Sequence, residues 1–119
     1  MACQVLVVDD ASFVRMMIRQ VLGRMGLAHI EAANGNEAIE LYKAYRPALT
    51  LLDITMPELD GLAALREIVG FDPDAKVIMC SAVTEETIVN EALSRGALDF
   101  VFKPFRPDDL EKMIAKHLA

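Results

Sequence analysis

No apolar run in this 119-residue chain approaches the roughly 18 to 20 residues that cross a bilayer. The apolar start at Val5 ends after four residues in Asp9-Asp10, so it is no signal peptide, and the chain reads as a soluble cytoplasmic protein with no membrane partner. Cations are short as well. Twelve Lys and Arg stand against 18 Asp and Glu, a formal charge of -6. Phosphate contacts need clustered Lys and Arg, and no such cluster is present, which argues against direct nucleic-acid binding. Cysteine is scarce. Cys3 and Cys80 have no CxxC spacing and lie in or beside apolar runs, which suggests buried reduced thiols rather than a disulfide or a metal site. The two histidines, His29 in a strand and His117 near a helix C-terminus, read as structural, and the seven methionines form no metal-binding repeat. Nothing in the composition marks a second domain. The length fits one domain spanning residues 1–119, which removes roughly 65 to 70% of its extended-chain surface from water on folding.

What the chain does have is alternation. Val5-Leu6-Val7-Val8, His29-Ile30-Glu31-Ala32, Leu49-Thr50-Leu51-Leu52, Val77-Ile78-Met79-Cys80 and Phe100-Val101-Phe102 read as five strands. Three of them are apolar nearly throughout, as strands covered on both faces are. Between them, Val14, Met17, Ile18, Val21, Leu22 and Met25 keep helical spacing until Gly26, and Ala38, Leu41, Tyr42 and Tyr45 do so before Pro47. Leu62, Leu65, Ile68 and Val69 mark a third helix. Thr84 followed by Glu85 and Glu86 starts a fourth, with acids where the helix dipole favours them, and Gly96 ends it. Pro107 suits a first helical turn, and Leu110, Met113, Ile114 and Leu118 stripe the last helix. Five repeats of strand then helix imply an α/β fold with a five-stranded parallel sheet, (βα)5, doubly wound and flavodoxin-like; two topologies suit this length, and the order 2-1-3-4-5 is the commoner and the one expected.

In such a sheet, function gathers at the carboxyl ends of the strands. The stretch LTLLDITMPELDG runs a buried-looking strand into Asp53, which places its carboxylate at that edge. Strand one ends in Asp9-Asp10, strand four in Ser81, and strand five in Lys103 before Pro104. Three carboxylates, a hydroxyl and an ammonium therefore converge. Acids so crowded repel unless a cation neutralises them, and Mg²⁺ fits because it takes few carboxylates and keeps waters for a phosphate. For any one of these acids the plain alternative is capping: Asp9 or Asp10 of the first helix, Asp53 of a turn.

The motifs VLVVDD, LLDITMPELDG, the Ser81-Ala82 pair and DFVFKPF resemble, in order and over the whole chain, the receiver domain of two-component response regulators. DDASFVRMM, DITMPE, DPDAKVIMCSA and DFVFKPF are similar, more narrowly, to single-domain regulators of the chemotaxis type. The resemblance implies that Asp53 accepts a phosphoryl group from a histidine kinase or a small phosphodonor. It implies that Asp10 and Asp53 ligate Mg²⁺ directly, that Asp9 acts largely through water, and that the backbone carbonyl of Thr55 completes the set. Lys103 would pair with the phosphoryl oxygens and Ser81 would hydrogen-bond one of them. Lys103-Pro104 would be cis. The switch would draw Ser81 inward and Phe100 after it, reshaping the face of helix four, strand five and helix five for a partner protein. Such a protein is no enzyme beyond its own phosphorylation and dephosphorylation.

Some positions qualify that expectation. Phe100 stands where chemotaxis-type regulators often carry tyrosine, which removes a hydroxyl, and its plain alternative is core packing. Thr55 and Val83 lie where receivers tune the attacking water. Val83 cannot hydrogen-bond it, so slow self-dephosphorylation and reliance on a separate phosphatase are expected. Met16 or Met56 would meet a kinase, whereas Met17 would pack in the core. Two other classes compete: a receiver cut from a DNA-binding regulator or hybrid kinase, and a phosphorelay carrier. A phosphatase of the haloacid-dehalogenase type needs an acid two residues after its nucleophile, where this chain has Thr55. A flavin site is disfavoured because Asp9-Asp10 would repel a phosphate.

Overall fold

The computed structural model describes residues 4–56, 59–82 and 85–118. Five strands, β1 (Val5–Val8), β2 (His29–Ala32), β3 (Leu49–Asp53), β4 (Val77–Ser81) and β5 (Asp99–Phe102), alternate with five helices. These are α1 (Ser12–Arg24), α2 (Gly35–Tyr45), α3 (Gly61–Phe71), α4 (Glu86–Ser94) and α5 (Pro107–Leu118). The strands pair in parallel in the order β2-β1-β3-β4-β5. The register sets Val8 against Leu52, Asp53 against Cys80 and Ser81 against Phe102, so the strand ends line up along one edge.

Strand pleating divides the core in two, because successive side chains point to opposite faces. Leu6, Val8, Leu52, Met79 and Phe100 pack with α2, α3 and α4 through Tyr42, Leu65, Ile68 and Ala92. Val5, Val7, Leu49, Leu51, Ile78, Cys80 and Val101 pack with α1 and α5 through Val14, Ile18, Leu22, Leu110 and Ile114. The strands that read as apolar throughout, β1, β3 and β4, are buried along their whole length, and the two edge strands are partly exposed. Cys80 is a free buried thiol, pushed up to about 12 first by desolvation; Cys3 lies outside the described residues.

The helix ends follow local chemistry. Gly26 and Gly96, at φ of 70° and 108°, close α1 and α4 in the left-handed region. Asn34 and Asp60 cap α2 and α3 by accepting from the Glu37 and Ala63 amides at 2.9 Å each. Two details differ from the sequence pattern. Arg46, not a glycine, takes the left-handed turn before Pro47 (φ 46°), its N–H donating to the Tyr42 carbonyl at 2.7 Å. The described start of α4 is Glu86, with Glu85 at the N-cap position making no side-chain cap bond, while Thr84 lies outside the described residues. Among the described residues, no helix is long and apolar enough to cross a membrane.

Gly61 ties the fold to the strand edge. Its N–H donates to the Ile54 carbonyl at 2.8 Å, and a Cβ built on it would run into the Asp53 carbonyl and the Ile54 Cα. The first turn of α3 thus rests on the backbone just behind the Asp53 side chain.

Candidate functional site

The carboxyl edge brings the sequence-predicted acids together. Asp9 is 1% exposed and Asp53 4%, Asp10 is exposed, and one carboxylate oxygen from each lies within 4.8 Å of the others. Lys103 reaches in from the end of β5. Its Nζ donates to Asp9 Oδ2 at 2.5 Å and lies 3.4 Å from Asp53 Oδ1. The ammonium is aimed by its own backbone: the Lys103 N–H donates to the Ser81 carbonyl at 2.8 Å, and the Lys103–Pro104 peptide is cis, as the family resemblance implied. Ser81, 1% exposed, ends β4 next to Asp53's strand.

Asp9 is tied at every polar atom. Its N–H donates to the Ala32 carbonyl at 3.1 Å, its Oδ1 accepts from the Ala11 N–H at 2.9 Å, and its carbonyl accepts from Arg15 NH1 at 2.5 Å. The capping alternative does not hold for Asp9: Ala11 is the N-cap of α1 with no side-chain cap bond, and the Asp9 Oδ1 contact with the Ala11 N–H closes a turn ahead of the helix while the other oxygen faces the pocket.

Three carboxylates against one ammonium leave an excess of two negative charges when all are ionised. The imbalance shows in Asp53, whose pKa is pushed up to about 6, first by burial and next by the charge of Asp9, with Lys103 only partly offsetting both. For Lys103, burial works against the charge, but the Asp9 hydrogen bond and the charges of Asp53 and Asp9 outweigh it and hold the pKa above its ordinary value. A donor set of carboxylate oxygens alone, carrying unbalanced negative charge, suits a hard divalent cation.

The remaining sequence-predicted positions divide. Thr55 is exposed two residues past Asp53. Phe100 is 9% exposed, within the core on the α2–α3–α4 side, its ring 4.9 Å from that of Phe102, which is 45% exposed. Val83 lies outside the described residues. Met56 is a correction: at 8% exposure it belongs to the same core cluster as Ile54, Ala64 and Leu65 instead of facing a partner, because its apolar side chain is covered there. Met17 differs the other way, half-buried in the groove beside Lys103 and Phe105, while Met16 is exposed on α1 as expected. His29 and His117 bind carboxylates, Glu31 at 3.2 Å and Asp99 at 3.0 Å, away from the pocket.

Sequence reasoning missed the contact of Arg15 with Asp9. A signal existed: Arg15 and Arg19 share one face of α1, and Glu31 is the single acid in β2.

Residues 5–115 match the response regulator receiver domain family. The chain is 47% identical over 119 residues to the chemotaxis protein CheY of Bacillus subtilis (strain 168), covering 99% of each. It is 44% identical over 117 residues to the chemotaxis protein CheY of Thermotoga maritima, covering 98% of each. Its backbone matches the CheX-CheY-BeF3-Mg²⁺ complex from Borrelia burgdorferi with a TM-score of 0.93 at 35% identity, over 98% of this chain and 89% of that one.

Proposed function

Because this chain belongs to the response regulator receiver domain family, we propose that it is a chemotaxis-type switch, phosphorylated on Asp53 by a histidine kinase and read by a partner protein. The observation that carries this is the buried Asp53 carboxylate at the end of β3, 3.4 Å from Lys103 and clustered with Asp9 and Asp10.

An ionised Asp53 oxygen attacks the phosphorus of a phosphohistidine or of acetyl phosphate. The new P–O bond forms as the P–N or P–O bond to the leaving group breaks, and the leaving group takes the electron pair. Asp53 must be ionised to attack, and the pocket without a cation holds its pKa up at about 6. Lys103 pairs with the incoming phosphoryl oxygens, and the Ser81 hydroxyl hydrogen-bonds one of them. Asp10, Asp53 and the Thr55 carbonyl would hold Mg²⁺. Asp9 would act through water, since its two carboxylate oxygens already serve Ala11 and Lys103. When bound, the ion neutralises the crowded carboxylates and the charge that develops on the phosphoryl group.

The readout follows from Ser81 and Phe100. Pulling the Ser81 hydroxyl toward a phosphoryl group loosens the end of β4, and Phe100 moves with it. Phe102 and Leu93, 45% and 44% exposed, give the α4–β5–α5 face apolar surface for the partner. Exposed Phe13 and Met16 on α1 offer the same to the donor protein. The Borrelia relative solved with CheX supports a partner of that kind here as well. The protein works in the cytoplasm and catalyses only its own phosphorylation and dephosphorylation.

The test is intact-mass measurement of wild type and Asp53→Asn after incubation with acetyl phosphate, with and without Mg²⁺. One Mg²⁺-dependent phosphoryl adduct on wild type alone is expected. No adduct under any condition, with beryllofluoride also failing to bind, overturns the proposal. Because valine offers no hydrogen bond to an attacking water, the adduct should decay more slowly than in Val83→Glu, and an equal or faster decay removes that part.

A further inference from the structure

A connected group of charges on the flank formed by α1 and β2 reaches the pocket through one member. Glu31, on edge strand β2, accepts from Arg19 Nε at 2.8 Å and Arg19 NH2 at 3.1 Å, and its carboxylate lies 3.2 Å from His29 Nε2. Arg15 Nε joins the same carboxylate at 3.2 Å, and Arg15 NH1 donates to the Asp9 carbonyl at 2.5 Å. The Arg15 side chain is largely covered, with 19% of its surface exposed. Its planar fork therefore spans two fixed points. One is a carboxylate held by other donors; the other is the carbonyl at which the chain leaves β1 and turns into Asp10.

We infer that Arg15 is a positioning residue for the acidic pocket, holding the Asp9–Asp10 backbone against Glu31 so that Asp10 meets a divalent cation in one arrangement. This rests on the receiver reading above. Arg15 offers nothing to the metal or the phosphoryl group; it acts through Asp9. Each Asp9 carboxylate oxygen already accepts one hydrogen bond, from Ala11 or Lys103, and its N–H donates to Ala32, so the carbonyl is the remaining polar group of that residue to be held. Arg15 holds it. The glutamate anchor is secured in turn: the hydrogen bond from Arg19 lowers the Glu31 pKa and keeps it ionised.

The sign of the effect separates this role from simple electrostatics. A cation beside three carboxylates opposes Mg²⁺ by charge alone, so deleting a mere charge would tighten the ion. Deleting a positioning group loosens it, as loss of outer-shell partners does, by about tenfold or more. The experiment is Mg²⁺ titration of the full chain followed by amide shifts of the loop between β1 and α1, alongside acetyl-phosphate labelling. Variants are Arg15→Ala, Arg15→Lys and Arg19→Ala, each checked by thermal melting. Arg15→Ala should weaken Mg²⁺ about tenfold, and Arg15→Lys, which keeps the charge but loses the fork, should weaken it in the same direction. Arg19→Ala, which loosens the Glu31 anchor but leaves the Asp9 contact in place, should lose clearly less than either Arg15 variant. If Arg15→Ala does not fold, Arg15→Lys decides. Unchanged or tighter Mg²⁺ binding in the Arg15 variants overturns the inference, and so does an equal loss in Arg19→Ala. A wild type that labels normally alongside such variants leaves the receiver reading standing; a wild type that neither binds Mg²⁺ nor labels overturns both.

Discussion

Neutralising Asp53 should stabilise the metal-free protein, with a pH dependence that follows from the pocket. The carboxyl is held at about 6 against an ordinary 3.8, chiefly by burial and the charge of Asp9. At pH values above that range the folded state keeps an ionised carboxylate in a place that resists it. Moving the pKa that far corresponds to about 3 kcal/mol, since each pKa unit is ~1.4 kcal/mol. Below the unfolded value both states are protonated, so the native state keeps its full stability there and loses it as pH rises through the folded value. Asp53→Asn removes the charge but still buries a polar amide and forfeits the attraction to Lys103. A net gain of about 1 to 2 kcal/mol near neutral pH is expected, shrinking toward zero near pH 3.5. The assay is urea unfolding of both proteins in chelator, followed by circular dichroism, across that pH range. A variant no more stable than wild type at neutral pH, or a gain equally large at the acid end, would refute the reasoning. Added Mg²⁺ should narrow the gap, because an ion that binds only the folded wild type stabilises it by mass action.

Two further outcomes test the scaffold. The Thr50 hydroxyl is fully buried and is the one buried side-chain polar atom without a hydrogen-bond partner among the described residues, so Thr50→Val should raise stability by about 1 kcal/mol. A loss instead would mean the hydroxyl is satisfied in solution. Gly61→Ala should cost about 1 to 3 kcal/mol, because the new methyl meets the backbone of Asp53 and Ile54. It should also slow acetyl-phosphate labelling; normal melting and labelling together would show that α3 shifts freely.

The distinction of central from edge strands was legible because β1, β3 and β4 carry apolar runs that suit a doubly covered parallel sheet, whereas their order rested on 2-1-3-4-5 being the commoner of two topologies; the ends of those runs named Asp9, Asp10, Asp53 and Ser81 directly. What periodicity could not show was partnership across elements. Met56 and Met17 are chemically alike, yet one is enclosed in the core and the other borders an open groove beside Lys103, a difference set by tertiary packing. Arg46 takes a backbone conformation usually left to glycine, and nothing local in its sequence announces it. Arg15 reads as one more surface cation until the packing of α1 on β2 sets it between Glu31 and Asp9.

Asp9 and Lys103 are 94 positions apart in the chain and meet at 2.5 Å. Any contiguous fragment that carries both spans at least residues 9–103, and β3 and β4 lie between their strands, so the lysine side chain reaches over the ends of both. The pocket is thus a product of strand neighbourhood, indifferent to the order in which the strands are threaded. A circular permutant reopened in a loop at the opposite end of the sheet would rebuild it intact, whereas one opened between Val8 and Ser12 or between Phe102 and Pro107 would fold the same layers around a broken site.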